Sequence, residues 1–544
     1  MHLSKYKISF SISLILMLSI LTNALLAQNL PVDIIQVVKD FDARLDEAEK
    51  IKVTPEIPIA DTGRSKYSYE VNPGILELKY SAPQIRPIAM KPAEPIPSYP
   101  FYLKAGYGIP NQGIGRLSYY FKNDDRTKIG FDLTHLSSNN KKNKEQRFYD
   151  NDLKAHIFHL TEDGLAIQGD ALVSKDRYHH FGHYIQNPGT ATPGQVLRHD
   201  YDIFELGAKV FNPKISENGV NYFANLNLFN LVDNLSSNEK GGKLDLGITK
   251  WIKNKHSIGI ELGTDITMFD ADTIAQDLNN FYLLPSVGIH GKSFAIQAGV
   301  KIASDGENIT LFPAVNLSGS IAGNQLMIVA GAEGGLNKNT YRTLSDFNPF
   351  ITSRPVLTNN AFRAYYLGLK GSAKTLEYDL RVGYKQNDHL PLFVLNTKNF
   401  SRFGVKYADV DFTYGTASLT FRPSSNIIVN AAINKNFYTK KAEPQAWGLP
   451  SIEFNGSVQY KTLNKKLLLT AESYVNDGIP YTDDLGNIGK SNLLLDISLG
   501  ANYAITKNVG IFAQANNLAN SVWRRWYQYP TYGLNAVGGI TVKF

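Results

Sequence analysis

Few residues in this sequence combine a reactive side chain with informative spacing. His179, His180 and His183 lie within the run Arg177–Tyr184, RYHHFGHY. Three imidazoles so close together are the chemistry of a zinc or copper site. No carboxylate stands at a fixed spacing from them and the chain has no cysteine, so a polar aromatic loop accounts for the same residues. His156 and His159 are three apart, and on a strand they would face opposite sides, so they cannot chelate together. Asp270, Asp272 and Asp277, and the pair Asp483–Asp484, offer oxygen ligands of the kind calcium takes, with solvated surface acids as the plainer reading. The densest aromatic and cationic run holds Trp523, Arg524, Arg525, Trp526, Tyr527 and Tyr529. Such side chains anchor ligands and partners. They also gather at membrane interfaces. There is no G-x-S-x-G, no H-E-x-x-H and no phosphate-cradling glycine loop. The chain therefore reads as a non-enzyme with no cofactor, whose notable side chains belong to contact surfaces.

Composition sets the frame for these residues. The chain has 544 residues, only 19% of them charged, with 43 Gly, 30 Tyr and 28 Phe. The absence of cysteine excludes zinc fingers, iron–sulfur clusters, thiol catalysis and disulfides. The formal charge is +7, with no basic stripe behind it, and the pairs Lys141–Lys142 and Lys440–Lys441 read as solvated loops, so nucleic acid is not an expected partner. Lys5 and Lys7 precede an apolar stretch from Ile8 to Leu26, which reads as a signal peptide over residues 1–27. Residues 28–100 hold ten of the 24 prolines and one candidate amphipathic helix between Val32 and Ile51. Proline removes a backbone donor and favours extended chain. This segment is expected to be an extended periplasmic arm, possible docking ground for a periplasmic protein.

From residue 101 to 544 the period is two. Ile258, Ile260, Leu262, Ile266 and Met268 share one face, against Glu261 and Asp265 on the other. Tyr378, Leu380, Val382 and Tyr384 oppose Glu377, Asp379, Arg381 and Lys385. Leu493, Leu495, Ile497 and Leu499 oppose Asp496 and Ser498. Alternation of this kind is a strand signature. Strands of about 9–12 residues match the length that crosses a bilayer at a tilt. Connections alternate between short ones, such as Lys253–Lys255 and Lys507–Asn508, and long ones: Ser137–Arg147, Lys175–Asp200, Asp270–Leu278, Asn337–Asn359 and Asn476–Ser491. Tight turns on one side and long loops on the other characterise outer-membrane barrels. The expectation is an all-β fold, a transmembrane antiparallel β-barrel of about 22 strands (range 16–24), with Pro391–Tyr407 read as loop. Glu261, Asp265, Glu377, Asp379, Arg381 and Asp496 are expected to face the lumen, and Leu262, Leu380 and Ile497 the lipid of the cell outer membrane.

The last 50 or so residues carry a family resemblance. Leu493–Asn520 reads LLLDISLGANYAITKNVGIFAQANNLAN, followed by the Trp523–Tyr529 cluster, Pro530 and Gly533, and the ending Gly538–Phe544, GGITVKF. This resembles the closing strands of TonB-dependent receptor barrels, including the aromatic last residue of barrels delivered to the outer-membrane assembly machinery. Such receptors carry a long plug domain ahead of the barrel, whereas residues 28–100 look like an arm, so the chain resembles a relative lacking a full plug domain. The resemblance implies a transport or receptor function for a hydrophilic solute. A structural or assembly component that docks a periplasmic partner through its arm is the alternative.

Overall fold

The computed structural model describes residues 99–140, 145–182, 198–216, 218–253, 255–272, 274–396, 402–439 and 443–544. The expected signal peptide, nearly all of the expected arm, and His183 lie outside the described residues.

One antiparallel sheet of 22 strands makes the wall. Its first strand, Phe101–Ile109, pairs with the second, Gln112–Asn123, and also with the last, Asn535–Lys543. The seam runs from Tyr102↔Lys543 to Ile109↔Ala536, so the sheet closes and leaves no edge. The strand number and closure are those the period-two pattern predicts.

The alternation is resolved physically along each strand. In His256–Ala271, Ile258, Ile260, Leu262 and Met268 are exposed, while Phe269 and Ala271, of opposite parity, are buried. Exposed aliphatics recur this way around the wall, among them Leu246, Val287, Leu367, Leu380, Ile497 and Ile540. A contiguous apolar exterior on a closed barrel is a lipid face, which makes this an outer-membrane barrel. Two girdles of exposed aromatics bound that face. Phe121, Tyr222, Phe294, Phe421 and Phe544 lie near the end where the first strand starts and the last strand stops, and Phe204, Phe281, Tyr365, Tyr384 and Phe437 toward the other. Phe421 pairs with Val429, eight residues before Phe437 on the same strand. At about 3.4 Å per residue and a tilt of about 40°, that spacing gives roughly 21 Å of height, close to a hydrocarbon core.

The ten connections at the end where the first strand starts are short, the longest being 212–219. Most of the other end is built from long loops: 180–197, 340–357, 389–410, 440–451, 477–493 and 517–534. By the rule that outer loops exceed periplasmic turns, this second end faces outward.

Three expectations change. Strands range from 8 residues (Val509–Asn516) to 17 (Ile274–His290), because many run past the bilayer. Asp270–Leu278 is not a long loop: its strands stay paired to Ala271↔Ile274. The segment 391–407 stays out of the wall but forms a hairpin, Leu390–Leu395 with Phe403–Ala408.

The facing of the wall is testable at mid-depth. Leu262→Arg should destabilise the barrel by about 2–4 kcal/mol, while Glu261→Gln should stay within about 1 kcal/mol. Urea titration of the protein in lipid vesicles, followed by heat-modifiable migration, reads the difference. Equal stability of the two variants would reverse the assignment.

Candidate functional site: the outer mouth

The outer loops fold on one another instead of splaying into solvent. The 340–357 loop opens with helix α1, Tyr341–Phe347. Thr340 caps it, accepting from the Thr343 N–H while the Thr343 hydroxyl accepts from the Thr340 N–H. This is a capping box, which fixes where the chain turns inward. The 517–534 loop contributes the small hairpin Arg524–Trp526 with Tyr529–Pro530, and the 477–493 loop contributes Pro480–Thr482 with Ile488–Lys490.

Aromatic rings join these pieces. Phe350 stacks on Tyr529 with centroids 3.8 Å apart, and Phe181 meets Tyr529 edge-on at 5.0 Å. Trp526 packs against Phe393, Phe403 and Phe347 at 5.3–5.8 Å. The same core takes in Leu136, Phe148, Tyr178, Tyr201, Leu231 and Phe269, each near the outer end of its wall strand. In the strands that carry Leu231 and Phe269, these have the parity opposite to the exposed aliphatics, so they point inward. Two smaller clusters extend it: Leu392, Ala408, Val410 and Trp447, and Ile479, Leu494 and Trp523. Backbone bonds stitch the loops together. Phe403 N–H donates to Phe350 O at 2.9 Å, and Thr352 N–H to Phe403 O at 2.8 Å. Gln146 Nε2 donates to Pro530 O at 2.9 Å, and Tyr532 hydroxyl to Gln146 O at 2.9 Å, which fastens the last loop to the wall strand that begins at Gln146.

Beside this apolar core lies a fully buried polar cluster. Tyr341 hydroxyl donates to Asp233 Oδ2 at 2.5 Å and lies 2.9 Å from His199 Nε2, which is itself 2.9 Å from Asp233 Oδ2. His199 Nδ1 lies 2.9 Å from the Tyr201 hydroxyl, which donates to Pro349 O at 3.1 Å. The other Asp233 oxygen accepts from the Leu235 and Ser237 N–H groups. Burial pushes the Tyr341 phenol well above its ordinary range, so it remains a neutral donor. Arg342 then pairs with Glu205, lies over the Phe229 ring at 4.5 Å, and donates its N–H to the Glu239 carboxylate at 3.3 Å. The cluster ties α1 to three wall strands. Neither His199 nor Asp233 stands out in the sequence, since each sits among other polar residues at a strand end, His199 between Arg198 and Asp200 and Asp233 before Asn234.

The residues singled out in the sequence fall into three places. Trp523, Arg525, Trp526 and Tyr529 are buried in the mouth, Arg524 is exposed, and Tyr527 is half-buried, stacked on Tyr481 at 4.7 Å. His179 Nδ1 meets Arg147 O at 3.1 Å, and His180 Nδ1 meets the Tyr529 hydroxyl at 3.3 Å, so the two rings serve different partners in the core. Among the described residues, the group of acids and histidines close enough to share an ion is Asp150, Asp152 and Asp176, which includes neither histidine. Asp483 is occupied within its own turn, accepting from the Leu485 and Asn487 N–H groups, and Asp272 pairs with Arg354. Glu261, Asp265, Glu377, Asp379, Arg381 and Asp496 occupy the face opposite the exposed aliphatics of their strands. Lys338 Nζ reaches Asp265 Oδ1 at 2.6 Å although their strands are not neighbours, a bond possible only through the barrel interior. Arg381 holds Asp379 with two bonds of 2.8 Å.

The core should be the element that holds the loops. Phe350→Ala removes a fully buried ring, a change that costs about 3–5 kcal/mol in a packed interior. Added protease should then nick the outer loops on intact cells at least about tenfold faster, with heat-modifiable migration of the wall retained. Unchanged resistance would mean that the loops are held by something else.

No family model matches this sequence, and no curated protein does. Solved structures do match in fold. The FrpB iron transporter from Neisseria meningitidis (F5-1 variant) superposes with a TM-score of 0.65 at 8% identity, covering 82% of this chain and 83% of that one. FpvA of P. aeruginosa, bound to a heterologous pyoverdine, gives 0.61 at 10% identity, over 83% and 72%. The ferric-catecholate import receptor Fiu from E. coli gives 0.60 at 8% identity, over 83% and 82%. The likeness spans the whole wall and not only the closing strands: this chain has the closed 22-strand fold of the TonB-dependent receptor barrels.

Proposed function

We propose that this protein is an outer-membrane receptor or transporter for a small hydrophilic solute, closed from outside by its own loops. The observation that carries the reading is the stacking of a dry aromatic core on a charged interior. An apolar stopper above a polar compartment keeps solutes out at rest, and its loops belong to separate connections that can part from the wall. The neighbouring folds named as iron transporter and ferric-catecholate import receptor, together with a copper transporter at 11% identity and a TM-score of 0.56, support transport as the general role. In this reading Glu261, Asp265, Glu377, Asp379, Arg381 and Asp496 line the wet passage, and mixed charge suits a polar cargo. Arg524 and Tyr527, at the surface of the buried hairpin, are the residues left to meet a ligand or partner. No catalytic step is part of the reading.

The alternative role is a non-transporting component of an outer-membrane complex, with residues 28–100 docking a periplasmic protein. The buried His199–Asp233–Tyr341 cluster favours it, because a fully satisfied polar network makes an expensive joint to open.

Planar-bilayer recording separates the two. The wild-type protein should be silent or nearly so, and Phe350→Ala/Tyr529→Ala should raise mean conductance at least about tenfold. Silence in both, under conditions where protease shows the loops released, would refute passage through the barrel. Deleting residues 29–95 in the loop variant then locates the arm. A further rise in conductance would place the arm in the passage, and loss of a periplasmic protein from pull-downs would make it a docking segment.

A further inference from the structure

The ten turns at the periplasmic end are not electrostatically alike. The first two, around 121–128 and 159–167, hold three basic and four acidic residues. They pair among themselves: Arg126 reaches Glu162 at 3.0 Å and Lys122 reaches Asp124 at 3.3 Å. The other eight turns and their strand ends, from 209 to 509, hold thirteen Lys and Arg residues and two acids, Glu217 and Glu377. Glu377 is taken by Arg422 at 2.8 Å. At the tips stand Lys214, Lys253, Lys292, Lys374, Lys465 and Lys507, all exposed, none with an ion-pair partner among the described residues. A chain of mild overall charge thus concentrates its positive excess on one arc of one rim.

Exposed apolar side chains accompany these lysines. Ile215 follows Lys214 and Ile252 precedes Lys253, while Phe294, Leu463 and Ile505 each stand two residues from a tip lysine. Ile252 continues the exposed series Leu246 and Ile248 of its strand, with Lys250 on the same parity between them. The cations therefore lie at the lower border of the lipid face, where the aromatic girdle ends. An ammonium on a flexible stem beside an aliphatic anchor is how a protein meets the boundary between acyl chains and headgroups.

We propose that this arc binds the anionic phospholipid headgroups of the inner leaflet, and so fixes the depth and tilt of the barrel from its periplasmic side. Charge complementarity selects the ligand, because a phosphodiester headgroup with net negative charge matches unpaired lysines and a zwitterionic one does not. Continuity with the lipid face selects a membrane over an acidic protein. The arc runs around eight consecutive turns of the wall, six of them with a tip lysine, and Ile252, Phe294 and Ile505 carry on the lipid-facing parity of their strands.

The test uses the full-length protein reconstituted with spin-labelled phosphatidylglycerol or phosphatidylcholine, reading the motionally restricted fraction of each. The wild type should prefer phosphatidylglycerol by about threefold at about 50 mM salt, falling toward parity near about 0.5 M. Replacing the six tip lysines by Gln should abolish the preference, and replacing them by Arg should keep it, with heat-modifiable migration confirming folded barrels. Lys175→Gln/Lys490→Gln, at the outer end, should leave it unchanged. Preference retained in the six-Gln variant, or lost equally in the outer-end control, would overturn the proposal. So would a six-Gln variant with unaltered lipid preference that loses a co-purifying acidic periplasmic protein.

Discussion

Everything in this structure depends on the hydrogen bonds between the first strand and the last. Inside a bilayer no water is at hand to satisfy a bare N–H or C=O, and each unmet group costs several kcal/mol. A sheet can cross only if it has no edge, so Phe101–Ile109 must pair with Asn535–Lys543. The seam is built for close approach. A Cβ at Gly108 would lie 1.8 Å from Ala536 O, and one at Gly539 would lie 2.0 Å from Ala105 O. Any side chain there would push the two strands apart and reopen the edge. Closure in turn fixes the period of two, because every wall residue then faces either lipid or interior. It also sets the start of the first strand and the end of the last at one end of the barrel.

Closure creates a second requirement at the other end. Barrel diameter grows with strand number, and 22 strands enclose a wide interior. The chain meets this with loop residues. Phe181, Tyr341, Phe350, Phe393, Phe403, Trp526 and Tyr529 come from four different connections yet share one buried core with the wall. The hydrophobic effect that a soluble domain uses in its centre is used here at the rim, since the wall turns most of its aliphatics toward lipid. The two apolar surfaces, one facing lipid and one facing inward at the mouth, are kept apart by strand parity alone.

The wall was legible in the sequence because two solvents impose a strict local rule. Leu262 next to Glu261, or Leu380 next to Asp379, is a nearest-neighbour signal that needs no tertiary information. The rule weakens where strands leave the bilayer. Around Asp270–Leu278 polar and apolar residues mix on both faces, so paired strand looked like loop. Hairpin Leu390–Leu395 with Phe403–Ala408 looked like loop for the opposite reason, since its apolar residues pack into a core and not against lipid. The stopper left two marks in the sequence, the density of rings in Trp523–Tyr529 and the aromatic run that holds Tyr178 and Phe181. Their partners Phe350, Phe393 and Phe403 lie more than a hundred residues away with no period to connect them. His199 and Asp233 gain meaning only when Tyr341 is laid between them.

The central claim is that the loop core seals the interior from the cell exterior, and the natural absence of cysteine makes it directly measurable. A single cysteine is placed at the exposed loop tip, Leu485→Cys, or on the inner face, Asp379→Cys, and intact cells are treated with a membrane-impermeant maleimide. The structure predicts rapid labelling of Leu485→Cys and at least about a hundredfold slower labelling of Asp379→Cys, with the difference largely erased when Phe350→Ala is added. Labelling of Asp379→Cys as fast as Leu485→Cys in the otherwise unaltered protein would contradict the account, because the mouth would then be open.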